Sequence, residues 1–148
     1  MFNFYFSTQD SQKKADTLQL FRWIAEGRFK PYTSNIVLEE LEKASAERYN
    51  VMSHLVSEYA IEIIVRNEES DILTDVYVEK GIIPQKYKTD AQHIAIASVH
   101  KLNFVASYNF GHIVKLKTLN MTGLVNIRHG YQQIGLFSPT EVRDDDGR

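Results

Sequence analysis

Short apolar runs with strand character alternate along this chain with longer stretches of helical period. That alternation restricts the fold more than any other feature. Residues 2–7 (FNFYFS) are aromatic and apolar with no turn residue inside, which predicts a buried strand. A polar break follows, with Asp10 or Ser11 as a helix cap. Leu18, Leu20, Phe21, Ile24 and Ala25 then recur near a 3.6 period until Gly27. Residues 29–33 (FKPYT) carry Pro31 internally and predict a short or edge strand. Ser34 or Asn35 caps the next helix, IVLEELEKA, and residues 45–60 continue helical after a break. Residues 61–65 (IEIIV) are β-branched and predict a second good strand.

Residues 68–79 predict a helix with Ile72, Leu73, Val76 and Tyr77 inward, ended by Gly81, and residues 82–88 a loop. Thr89 or Asp90 starts DAQHIAIASVHK, whose small apolar inner face predicts the most buried helix of the molecule. FVAS (104–107) reads as a strand, residues 109–117 as a short helix, GLVNI (123–127) as another strand and residues 131–137 as an edge strand. Strands alternating with helices predict an α/β fold, a parallel sheet with helices on both faces. The functional site is then expected beyond the carboxyl ends of the strands.

With 148 residues, one domain over residues 1–142 is expected, followed by a charged tail at 143–148 that reads as disordered. A net charge of −2 argues against a protein that coats nucleic acid through a broad basic field, while leaving room for a local basic groove. The absence of cysteine excludes disulfides, thiolate metal sites and a cysteine nucleophile, and fits a cytoplasmic setting. Neither a secretory leader nor a membrane span is recognisable, a span needing roughly 20 apolar residues.

The polar residues expected at the strand ends, or at the starts of the helices that follow, are Ser7, Thr8 and Asp10; Glu39 and Glu40; Asp90; and Ser107, Tyr108 and Asn109. Carboxylates gathered there would suit Mg²⁺ or Mn²⁺, hard ions that prefer oxygen ligands. Such ions activate water and steady phosphate in phosphodiester hydrolysis.

TSNIVLEELEKA (33–44), TDAQHIAIASV (89–99) and FVASYNFGHIVK (104–115) resemble, in order and spacing, three successive motifs of the PIN domain. With the opening strand and the ending GLVNIRHGYQQIGLFSPTEV (123–142), the resemblance covers nearly the whole chain. It is nearest to the toxin nucleases of toxin–antitoxin pairs and to stand-alone relatives. It implies a PIN-like parallel sheet of about four to five strands flanked by helices on both faces. It further implies a metal-dependent endoribonuclease acting on RNA, with an antitoxin-like protein partner and a homodimer as further implications.

The family's second acid matches Glu40, its third matches Asp90, and its fourth polar position matches Asn109. The first acid is replaced by Ser7. The resemblance thus implies Asp90, Glu40 and Asn109 as catalytic and metal-holding residues, with Asp10 offered as a substitute for the missing acid. A site lacking one carboxylate binds a divalent ion more weakly. The departure at Ser7 keeps a second reading open, a catalytically degenerate PIN module that binds RNA or a protein partner.

Plainer readings stand beside these. Asp90 at a helix start is favourable as a cap, Glu40 belongs to a run of acids that reads as a solvated face, and Asn109 reads equally as a cap. His93 lies one turn after Asp90 on the same face, placed to orient it or touch a phosphate, against the alternative of a core histidine. His112 follows Asn109 by three residues. Thr8, Ser107 and Lys88 complete the candidates for substrate contact, Lys88 because KYKTD abuts Asp90. His54, His100 and His129 read as surface.

Overall fold

The computed structural model describes residues 11–107, 116–138 and 140–142. Helix α1 spans Ser11–Ala25, strand β1 Tyr32–Ser34, α2 Asn35–Ala44, α3 Ala46–Glu58 and β2 Glu62–Ile64. Helix α4 spans Glu68–Glu79, α5 Lys88–Val99, β3 Phe104–Ala106, α6 Leu116–Arg128 and β4 Gly135–Phe137. A 3₁₀ turn at Gln85–Tyr87 occupies part of the expected loop before α5.

Local chemistry sets many of these boundaries. Ser34 holds an extended backbone, and its Oγ accepts from the Val37 amide at 3.3 Å, so Ser34 rather than Asn35 caps α2. Ser45 ends α2 and begins α3. Its amide donates to the Leu41 carbonyl at 2.9 Å, and its hydroxyl accepts from the Arg48 amide at 3.2 Å. Asn67 and Ser70 form a reciprocal capping box at the start of α4, with Glu68, Glu69 and Asp71 in the first turn favoured by the helix dipole. Gly81 takes φ 71° beyond α4, and the Gly81 and Ile82 amides close back on Val78 and Tyr77.

The strands pair in parallel, as the alternation predicts. Tyr32, Thr33 and Ser34 of β1 align with Glu62, Ile63 and Ile64 of β2. Phe104, Val105 and Ala106 of β3 align with Gly135, Leu136 and Phe137 of β4. The fold is therefore mixed α/β. The expected single sheet of four to five strands is not what the described residues show, since their strands form two separate two-stranded sheets. The strand expected at residues 2–7 lies outside the described residues, as does the tail at 143–148.

Hydrophobic packing lies on both faces of the β3–β4 pair. Val105 and Leu136 enter one cluster with Val37, Ile64, Leu73, Tyr77, Ile94 and Val125. Ala106 enters the other with Leu20, Phe21, Phe29, Met52 and Leu55, and Phe104 and Phe137 pack against it. Neighbouring strand residues face opposite ways, so a strand covered on both sides feeds two cores. Phe104 meets Phe29 at 5.8 Å and Phe137 at 5.6 Å between ring centroids, both edge-on.

Three expectations are corrected. GLVNI is not a strand but the C-terminal part of α6. Val125 and Asn126 are buried while Leu124 and Ile127 are 59% and 64% exposed, which is a helical division of faces. Ile72, expected inward, is 52% exposed, and Ser70, Leu73, Thr74 and Tyr77 form the buried face of α4 instead. Helix α5 begins at Lys88, so Asp90 sits within its first turn and is not the cap.

Candidate functional site

Helix α5 is the most enclosed helix described, with Ala91 and every residue from His93 to Ser98 buried. Its alanines at 91, 95 and 97 leave no side-chain bulk, so α4 packs closely against it. Two groups of buried polar atoms lie along this helix.

The first is at its N-terminal end. His93 is 2% exposed, and its Nε2 lies 3.4 Å from Oε1 of Glu40 on α2. The Glu40 side chain is 54% exposed, so this pair joins a buried ring to a carboxylate at the surface. His93 Nδ1 has no hydrogen-bond partner among the described residues. A proton on Nδ1 would be a buried donor with nothing to accept it, at a cost of about 1–3 kcal/mol. The geometry therefore places the ring proton on Nε2, facing Glu40. At 3.4 Å this contact is longer than an ordinary N–H···O hydrogen bond. Asp90, half-buried, lies one helical turn before His93, on the same side of α5.

Glu39 and Glu40 are neighbours in sequence, and the structure separates their roles. Glu39 accepts from Asn35 Nδ2 at 3.3 Å within its own helix. Glu40 faces α5. Asn35 in turn accepts from the Arg66 amide at 2.9 Å, tying the end of β1 to the end of β2.

The second group is at the C-terminal half of α5. Tyr77 of α4 donates its hydroxyl proton to Asn126 Oδ1 of α6. Asn126 Nδ2 donates to Ser98 Oγ at 2.9 Å and to the Gln132 carbonyl at 2.8 Å, and Ser98 Oγ donates to the Ile94 carbonyl at 2.8 Å. Burial pushes the Tyr77 phenol up to about 12, against an opposing pull from its Ser98 and Asn126 hydrogen bonds. Sequence reasoning misses this network, because GLVNI, which contains Asn126, reads as a strand.

Of the other candidates, Ser107 is buried at the end of β3, where its amide donates to the Phe137 carbonyl at 2.9 Å. Lys88 opens α5 and pairs with Asp75 of α4 at 3.7 Å, both side chains exposed. His100, expected at the surface, is half-buried with Nε2 3.3 Å from the Val65 carbonyl. Ser7, Thr8, Asp10, Tyr108, Asn109 and His112 lie outside the described residues. The structure thus brings together Glu40, His93 and Asp90's turn of α5.

Among the described residues no three acids or histidines gather as a ready metal cage. Glu40 is the carboxylate that meets α5, and Mg²⁺ is commonly held by one or two carboxylates with waters and substrate phosphates completing its shell. No protein-family model, no curated protein and no solved structure matches the chain.

Proposed function

We propose that this chain is a PIN-like, metal-dependent endoribonuclease whose site lies where α2 meets the start of α5. The observation that carries the reading is the approach of Glu40 to α5, 3.4 Å from His93 and next to the turn that bears Asp90. Those two positions are the ones the PIN resemblance assigns to metal-holding acids. A divalent ion held there supplies charge neutralisation for a phosphate and lowers the pKa of water. Glu40 and Asp90 hold it, and the exposed side of Glu40 leaves the site open to a polymer substrate. Asn109, and Asp10 in place of the acid missing at Ser7, complete the set in this proposal.

The sheet belongs to the same reading. Val105 and Ala106 are 1% and 0% exposed, yet β3 pairs only with β4 among the described residues. Strand β2, by contrast, carries exposed Glu62 and Ile63, as an outer edge does. Buried backbone calls for partners on both edges. We propose that the two pairs belong to one larger PIN-like parallel sheet of about four to five strands.

The test is cleavage of a mixed RNA pool with Mn²⁺, Mg²⁺ or EDTA, by wild type, Asp90→Asn and Glu40→Gln. Metal-dependent cleavage that falls to background in Asp90→Asn is expected. Cleavage that persists in EDTA, or survives in Asp90→Asn, overturns the reading. A second reading is favoured by Ser7 and by the lack of a three-residue cage among the described residues. In it the chain is a degenerate module that binds RNA or a protein partner, and RNA retention in EDTA without any cleavage would support it.

A further inference from the structure

We infer that His93 is a positioning residue that aims the Glu40 carboxylate at the turn of α5 bearing Asp90. The inference rests on the metal-site reading above and adds a role that the PIN resemblance does not assign. Three observations carry it. His93 is buried, so its ring is held by packing rather than by solvent. Its Nδ1 has no partner among the described residues, which leaves Nε2 as the atom that carries the proton. That Nε2 lies 3.4 Å from Glu40 Oε1, the contact this carboxylate makes among the described residues.

An exposed glutamate on a helix surface samples many rotamers, and holding one of them costs side-chain entropy. A fixed donor reaching out of the core biases Glu40 towards a single rotamer before any ligand arrives. It also engages one carboxylate oxygen and leaves the other for a cation. The contact is long in this state and is expected to shorten when a cation draws the carboxylate inward, as catalytic hydrogen bonds commonly do on ligand binding. Partners that orient ligating carboxylates typically affect metal affinity by roughly 10–100-fold.

The experiment is a Mn²⁺ titration read by electron paramagnetic resonance on wild type, Asp90→Asn, His93→Leu and His93→Gln, with the thermal midpoint of each recorded. Glutamine can present an N–H near the position of the imidazole Nε2, whereas leucine fills the space without a donor. His93→Leu is expected to bind Mn²⁺ about tenfold more weakly or worse, with no loss in thermal midpoint because the orphaned nitrogen is removed. His93→Gln is expected to recover most of the affinity. If wild type binds and Asp90→Asn does not, while His93→Leu binds like wild type, the positioning role is wrong and the metal site stands. If wild type does not bind Mn²⁺, the metal-site reading fails and the role of His93 fails with it. Equal weakening in His93→Leu and His93→Gln also overturns the inference, since it ties affinity to packing rather than to the donor.

Discussion

The two ends of α5 treat buried polar atoms in opposite ways. At the C-terminal half, the hydroxyls of Tyr77 and Ser98 and both ends of the Asn126 amide are satisfied within a network spanning three helices. The helix end is closed as well, by the Lys101 amide on the Ser98 carbonyl and the Leu102 amide on that of Ala97. At the N-terminal end, His93 keeps a bare Nδ1 and a long contact to a half-exposed acid. A network with all its members paired fixes packing, whereas a buried group left short of partners calls for an explanation other than packing. One end of the helix holds the fold, and the other carries the proposed site.

The largest effect expected from breaking this contrast is at Asn126. Asn126→Ala strips partners from Tyr77, Ser98 and the Gln132 carbonyl together and should destabilise by about 3 kcal/mol or more in urea unfolding. A cost below about 1 kcal/mol would mean that the network is not structural. Tyr77→Phe is next, at about 1–2 kcal/mol near neutral pH, because it orphans Asn126 Oδ1.

The same tyrosine makes stability depend on pH. Its unfolded phenol ionises near 10.0, while the folded one holds its proton to about 12. Between those values the unfolded chain binds fewer protons, so stability falls as pH rises. The contribution is whole below pH 10 and shrinks by up to about 2.7 kcal/mol by pH 12. Wild type should lose stability in that window more steeply than Tyr77→Phe, and parallel slopes would contradict the assignment. The smallest effect concerns Lys101, which closes α5 at φ 60°, where glycine is at ease and lysine is not. Lys101→Gly should raise stability by about 0.5–1 kcal/mol in the same unfolding assay.

What the sequence made legible were features whose causes are short-ranged. Ser34, Gly27 and Gly81 act on residues within one turn, and the alternation of runs reports burial directly, so most helices and the parallel pairing could be read. GLVNI could not, because five residues of mixed apolar character fit either period, and only the partners of Asn126 decide it. Tyr77 lies 49 positions from Asn126, and no local pattern encodes that hydrogen bond. The candidate site was legible only as residue types at motif positions. Asp90 and Glu40 were singled out, but adjacent Glu39 and Glu40 differ only in which way they point, and that depends on Asn35 and α5. The sequence ties His93 to Asp90, its neighbour by one turn, whereas in the fold its Nε2 meets Glu40.

The most direct test of this division of α5 is thermal unfolding with and without saturating Mn²⁺ for wild type, Asp90→Asn and Asn126→Ala. A ligand at about 100 times its Kd stabilises by roughly 2.7 kcal/mol, enough to move the midpoint by several degrees. The account predicts that Mn²⁺ raises the midpoint of wild type and, by a similar increment from a lower baseline, that of Asn126→Ala. Asp90→Asn should show no rise. An equal rise in Asp90→Asn, or none in wild type, would contradict it.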